Sequence, residues 1–150
     1  EILEKVTLMF YGVGKKTDGM TVARAHTVFQ QTAYDLAVFM QNYDIILSPT
    51  VAEPPPKTGI LGLSPEDIQK WSMRISQFTP FASVFNMTGQ PSMSLPLGVS
   101  TSGLPIGVMM SGRYGSEATL LRLAGQIEKA APWWNKMSLA LRTQPALKRS

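Results

Sequence analysis

The sequence predicts an α/β chain, helices with a few short strands, two of which form a β-hairpin. Three observations carry that reading. Apolar residues recur at helical spacing in several stretches, most clearly over residues 21–41. The period then breaks at Ile45-Ile46-Leu47, a largely β-branched run too short for a helix. Further on, Ser92-Met93-Ser94-Leu95 alternates polar and apolar, and Ile106 to Met110 is apolar again beyond a Ser, Thr and Gly turn.

Taken in order, residues 2–11 set Ile2, Leu3, Val6, Met9 and Phe10 at helical spacing. Gly12 and Gly14 are expected to stop that helix, and Gly12 to Gly19 reads as a connection. Thr21 is the expected N-cap of a second helix reaching about Gln41. Its stripe is Val22, Ala25, Phe29, Ala33, Leu36, Ala37 and Met40, with Arg24, Gln30, Gln31 and Asp35 mostly off it. Ile45-Ile46-Leu47 reads as a strand buried on both faces and ended by Pro49. Residues 51–63, with Pro54 to Pro56, Gly59 and Gly62, read as a long loop. Ser64 as N-cap and Pro65 at the first helical position open a third helix to about Ser76.

Pro80 opens a short helical stretch through Phe81, Val84 and Phe85, which Gly89 and Pro91 end. Pro96 confines the strand from Ser92 to an edge, an end or a bulge. Residues 100–103 are the hairpin turn. Ser116 is expected to cap a last helix to about Ala131, with Glu117 where the helix dipole favours an anion. Its buried stripe is Leu120, Leu121, Ala124 and Ile127, and Pro132-Trp133-Trp134 closes it. The last ten residues read as a surface tail. Gly89 and Gly103 suit positive φ, and Gly107 inside a strand suggests close approach of other atoms. Three strands make a small sheet or the outer part of a larger one.

A length of 150 residues suits one domain. With 44% apolar and 16% charged residues the chain has a globular composition, and so few charges suit a piece of a larger body. The net charge is +4, yet the basic residues are scattered except at Lys15-Lys16 and Lys148-Arg149, so no nucleic-acid partner is expected. The absence of cysteine removes disulfides, thiolate metal sites and a Cys nucleophile. His26, the only histidine, falls inside a helix with no Gly-x-Ser-x-Gly elbow nearby and reads as a surface or half-buried residue. One histidine and no close carboxylate cluster give no metal site, and no cofactor is expected. No apolar run reaches the ~20 residues that span a bilayer. The first residues, Glu1 to Lys5, show no signal-peptide pattern, and a cytoplasmic location is expected. They also lack an initiator Met, so the gene is expected to start upstream or the chain to be processed.

Three stretches, in order, resemble the C-terminal region of the amidase signature family. Tyr43-Asp44-Ile45-Ile46-Leu47-Ser48-Pro49-Thr50 is similar to the family's aromatic-Asp-apolar run ending in Pro-Thr. The stretch from Phe85-Asn86-Met87-Thr88-Gly89-Gln90-Pro91 to Leu95-Pro96-Leu97-Gly98 resembles its Asn-x-x-Gly-x-Pro segment, strand and Pro-x-Gly. Gly103-Leu104-Pro105-Ile106-Gly107-Val108, then Gly112-Arg113 and the helix near Ser116-Glu117, is the third. The resemblance spans about residues 20–131 and implies the C-terminal portion of a mixed β-sheet flanked by helices. Much of the pattern has a purely structural reading, since proline turns the chain and Asn86 suits a hydrogen bond to loop backbone.

The family's chemistry, as the resemblance implies it, uses a Ser nucleophile, a second Ser in a cis peptide linkage and a Lys base, with oxyanion donors from a glycine-rich loop. It carries them in a Gly-Gly-Ser-Ser-Gly-Gly-type segment and an upstream Lys, and neither is present in this sequence. No catalytic residue is therefore expected among residues 1–150, and the chain alone is expected to be inactive. The implied whole is an amidase acting on linear amides, with a small-molecule amide as substrate and a missing N-terminal catalytic part as partner. A homodimer stays open. In the family the segment before Asn-x-x-Gly approaches the acyl or side-chain end of the substrate, which makes Thr79, Phe81, Phe85 and Asn86 the substrate-binding candidates. Phe78, Phe81 and Phe85 read equally as core. Relatives acting on glutamine resemble this region but carry Asp where Thr79 aligns, so an uncharged Thr79 implies a neutral or apolar amide. The alternatives are a non-catalytic scaffold chain or one component of an amidotransferase.

Overall fold

The computed structural model of the protein describes residues 3–133. In chain order its elements are α1 (Lys5–Lys16), α2 (Gly19–Phe39), a 3-10 turn (Met40–Asn42), β1 (Ile45–Pro49) and α3 (Ile68–Phe78). They are followed by α4 (Ala82–Thr88), β2 (Ser92–Val99), β3 (Pro105–Gly112) and α5 (Glu117–Ala130). The α/β composition and the hairpin are as the sequence predicts.

The three strands form one antiparallel sheet in the order β1-β3-β2. β1 is thus an edge strand among the described residues, not the doubly buried strand its apolar run suggests, and Leu47 is 65% exposed. The central place goes to β3, which buries Met109 to Gly112. β2 is the other edge, and its register shifts between Leu95 and Gly98, around Pro96. Directly paired residues share a face. Leu47, Met110 and Met93 stand on one side, and Ser48, Met109 and Ser94 on the other. α5 packs on the Met110 side, with Leu120 close against Gly112.

Helix ends differ from the sequence reading by identifiable chemistry. α1 runs through Gly12 and Gly14 to Lys16. Each interior glycine costs only about 0.5–1 kcal/mol, Lys15 and Lys16 suit the negative helix end, and the Thr17 hydroxyl donates to the Val13 carbonyl at 2.9 Å. Asp18, not Thr21, caps α2, its carboxylate accepting from the Thr21 amide at 2.7 Å. Asp67, not Ser64, caps α3, accepting from the Lys70 amide at 2.9 Å. Ser116 does hold the N-cap position of α5, but its hydroxyl donates backward to the Arg113 carbonyl at 2.6 Å. In α5 Leu120 is buried while Leu121 is 71% exposed, because adjacent helical residues point about 100° apart. Trp133 is buried, and the expected roles of Ile2, Trp134 and the last ten residues lie outside the described residues.

The core sits where the end of α2 meets α4 and the sheet. Met40 is fully buried, and the Gln90 side-chain amide donates to its sulfur at 3.3 Å. Phe85, Thr88 and Gln90 are buried beside it. Arg113 clamps the turn from above: its Nε donates to the carbonyls of Met40 (3.0 Å) and Tyr43 (3.2 Å), and its Nη2 to that of Gln41 (3.4 Å). The helix-end carbonyls thereby gain a cationic partner. The rest of the α2 stripe is partly covered: Ala25, Ala33 and Leu36 are half-buried, while Val22, Phe29 and Ala37 are exposed.

Candidate functional site

The expected binding segment lies at the corner between α3 and α4. Thr79 is the C-cap of α3 and half-buried. Its amide and its hydroxyl both donate to the Ile75 carbonyl, at 2.9 and 3.0 Å. The hydroxyl is held in one orientation and keeps its acceptor lone pairs. Phe81 is the N-cap residue of α4 and half-buried. Phe85, four residues later and so on the same helix side, is 7% exposed and belongs to the core. Asn86 is exposed. The structure thus brings Thr79 and Phe81 together at the corner, turns Phe85 inward, and leaves Asn86 outward. Gly89 ends α4 in the left-handed region at φ 75°, as the sequence suggests.

Two links tie this corner to the loop after β1. The Ala52 amide donates to the Phe78 carbonyl at 3.0 Å, one residue before Thr79. The Glu53 carboxylate forms an ion pair with Arg74, one turn earlier in α3. On its other side the same loop walls a groove of about 290 Å³ against the hairpin, between Pro49, Val51 and Pro54 on one bank and Leu104 and Ile106 on the other. From Thr79 to Asn86 the chain carries no ionisable side chain. The segment itself therefore brings no charge to the corner, and Thr79 brings one oriented hydroxyl.

A feature that no single motif signals lies at the base of that loop. The Thr50 and Ser94 hydroxyls meet at 2.5 Å across the central strand, above Gly107. The Thr50 amide donates to the Gly107 carbonyl at 3.1 Å. A Cβ on Gly107 would stand 2.6 Å from Thr50 Oγ1 and 2.8 Å from Ser94 Oγ. The close approach expected at Gly107 is thus made by two hydroxyls. A second pair, Ser92 and Ser111, meets at 2.7 Å with Ser111 fully buried. Ser94 is engaged with Thr50 and Ser92 with Ser111, and neither hydrogen bond involves a basic side chain.

Elsewhere, His26 is exposed on α2 and contacts Phe29 edge-on, with ring centroids 6.3 Å apart. Among the described residues no group of His, Asp and Glu could hold a metal ion, and no helix is long and apolar enough to cross a membrane. The Asp18 carboxyl is held below its ordinary range, first by the Thr21 amide and then by the Thr21 hydroxyl; this is helix capping and has no part in the corner.

Comparison with known proteins bears on the same region. Residues 1–121 match the model of the family described as Amidase. The Mycobacterium tuberculosis (strain ATCC 25618 / H37Rv) protein named "Putative amidase AmiC" is 46% identical over 95 residues, covering 63% of this chain and 20% of that protein. The 6-aminohexanoate-cyclic-dimer hydrolase of Paenarthrobacter ureafaciens is 42% identical over 96 residues, or 61% of this chain and 20% of that protein. The solved structure of 6-aminohexanoate cyclic dimer hydrolase complexed with substrate superposes with a TM-score of 0.72 at 32% identity, covering 79% of this chain and 26% of that one. A glutamyl-tRNA(Gln) amidotransferase component from Thermotoga maritima superposes with a TM-score of 0.65 at 25% identity, over 86% of this chain and 26% of that one. The chain spans about one fifth of the length of the curated relatives it matches.

Proposed function

The chain belongs to the amidase family, and from that premise we propose that it is the C-terminal part of an enzyme that hydrolyses a carboxylic amide to an acid and ammonia or an amine. Water is added across the C–N bond: the acyl carbon gains a hydroxyl and the nitrogen a proton. The nucleophile and base belong to polypeptide outside residues 1–150, because no Ser-Ser-Gly-Gly segment or family Lys motif stands in this sequence. The chain's own part is to wall the substrate cleft with the Thr79–Phe81 corner.

The observation that carries the substrate reading is the charge-free stretch from Thr79 to Asn86. A substrate ammonium or carboxylate placed there would lose hydration and find no ionic partner within residues 79–86, while the nearby Glu53 and Arg74 charges already face each other. A neutral amide loses far less, and Thr79 keeps an acceptor oriented by its bond to Ile75. The name of the 6-aminohexanoate-cyclic-dimer hydrolases points the same way, since an amino acid dimer closed through both amides carries no free charge. The exposed members of the α2 stripe, Val22 and Phe29, suit burial against the rest of such an enzyme.

The test compares two proteins on one panel of amides: residues 1–150 alone, and the polypeptide encoded with the upstream reading frame. No turnover is expected from the first, and turnover favouring uncharged amides from the second. Activity of the isolated chain above background would overturn the division of labour. A preference for glutamine over uncharged amides would overturn the substrate reading.

A further inference from the structure

We propose that Glu53 and Arg74 are positioning residues, and that their ion pair sets where the Thr79–Phe81 corner stands against the loop after β1. This rests on the reading of that corner as cleft wall. The geometry carries the rest. Thr79 and Phe81 flank Pro80, with α3 ending on one side and α4 beginning on the other, so the placement of α3 places them. α3 reaches the loop after β1 through two contacts on successive turns: Arg74 to Glu53, and the Phe78 carbonyl to the Ala52 amide at 3.0 Å. One contact fixes a distance and leaves a pivot. Two contacts one turn apart also fix the direction of the helix axis. The neighbouring Pro54, Pro55 and Pro56 stiffen the loop that receives them. Its other end is pinned by the Thr50 amide to the Gly107 carbonyl and by the hydroxyl pair with Ser94.

The pair is an unusual one for a surface. Glu53 Oε1, the atom facing Arg74, is itself shielded from solvent and makes no hydrogen bond, so the ion pair is its one polar contact among the described residues, although both side chains are about a third exposed overall. An oxygen shielded from water has no solvent partner to exchange for Arg74, whereas a solvated pair exchanges freely. The ion pair is therefore worth more as a geometric constraint than as a source of stability. Its loss is expected to let the corner drift, and drift weakens binding of substrates large enough to touch it.

The experiment uses the full-length enzyme that carries this chain, with acetamide as a small probe and an aliphatic amide of six or more carbons as a large one. Glu53→Gln and Arg74→Met are expected to raise KM for the large amide about three- to fivefold, with kcat for acetamide within about twofold. The charge-swapped double variant, Glu53→Arg with Arg74→Glu, is expected to recover KM to within about twofold of the parent. Arg74→Lys keeps the charge and serves as the variant least prone to misfold; it should fall between parent and Arg74→Met. Equal losses on both amides, or a swap that recovers nothing, would sink the positioning role. Phe81→Ala is measured beside them. If it alters KM for the large amide and Glu53→Gln does not, the corner is cleft wall and only the ion-pair proposal fails. If Phe81→Ala leaves KM unchanged, the cleft-wall reading fails and this proposal falls with it.

Discussion

Gly107→Ala tests the packing at the base of the candidate site. The new methyl would meet Thr50 Oγ1 at 2.6 Å and Ser94 Oγ at 2.8 Å, and Thr50 Cβ at 3.1 Å. The two hydroxyls can rotate away, but then their 2.5 Å hydrogen bond is lost, at about 1 kcal/mol. Thr50 Cβ cannot rotate away, since Thr50 is pinned by its own amide to the Gly107 carbonyl. The crowding there costs about another 1 kcal/mol, the low end for an added methyl group. Removing glycine's unfolded-state freedom returns roughly 0.5 kcal/mol. The net expectation is destabilisation by about 1.5 kcal/mol. With a urea slope of about 2 kcal/mol per molar, the unfolding midpoint falls by about 0.7 M. The double variant Thr50→Ala with Gly107→Ala keeps Thr50 Cβ, and so its crowding, but loses the Thr50–Ser94 hydrogen bond only once, whereas each single variant loses it. It should be more stable than the two single effects added together, by about 1 kcal/mol. Urea unfolding followed by tryptophan fluorescence measures all three. A loss below about 0.3 kcal/mol for Gly107→Ala, or additive effects in the double variant, would refute the account of the hydroxyl pair above the glycine.

Other substitutions separate neighbouring contributions. Arg113→Met removes the donors to Met40, Tyr43 and Gln41 and is expected to cost about 1–2 kcal/mol, whereas Asp44→Asn, which removes only an exposed carboxylate 3.4 Å from Arg113, should stay within about 0.5 kcal/mol; urea midpoints check the contrast. Met40→Ala empties a fully buried site and is expected to cost about 3 kcal/mol by the same assay. The Asp18 carboxyl is depressed in the folded state by the Thr21 amide, so its contribution is present above the ordinary aspartate value of about 4 and is lost as the pH falls through the lower folded value. The Thr21 amide resonance should therefore shift below about pH 4 in the parent chain and stay constant in Asp18→Asn, which retains a capping oxygen.

The fold was legible where one residue type decides the local backbone. Gly89 and Gly103 take φ of 75° and 81°, and the strand at Ser92 is an edge with a bulge around Pro96. Helix starts slipped where two capping residues competed. Asp18 and Asp67 won over Thr21 and Ser64, since a carboxylate gains from the helix dipole as well as from the amide it accepts. The edge position of β1 was not legible, because the apolar run Ile45-Ile46-Leu47 marks a strand but not its neighbours, while the pairing partners are residues 105–112, far along the chain. The same holds for the stripe of α2. Its period fixes a helix, but nothing in the period says whether the covering surface lies within the 150 residues.

The candidate site was legible only as a segment. Residues 79–86 were marked by their place before the Asn-x-x-Gly run, yet four neighbours in sequence do not share one environment: the helix period turns Phe85 into the core and Asn86 outward. The tether from Glu53 to Arg74 spans two elements with no shared motif, and the Thr50–Ser94 pair joins residues 44 apart. Both converge on the loop after β1. The Pro-Thr that ends the first family-like stretch thus has a physical reason: proline ends the strand, threonine anchors the chain over Gly107, and the loop it releases holds the end of α3. The variants at Gly107, Glu53 and Arg74 each act on one of the contacts that fix this loop.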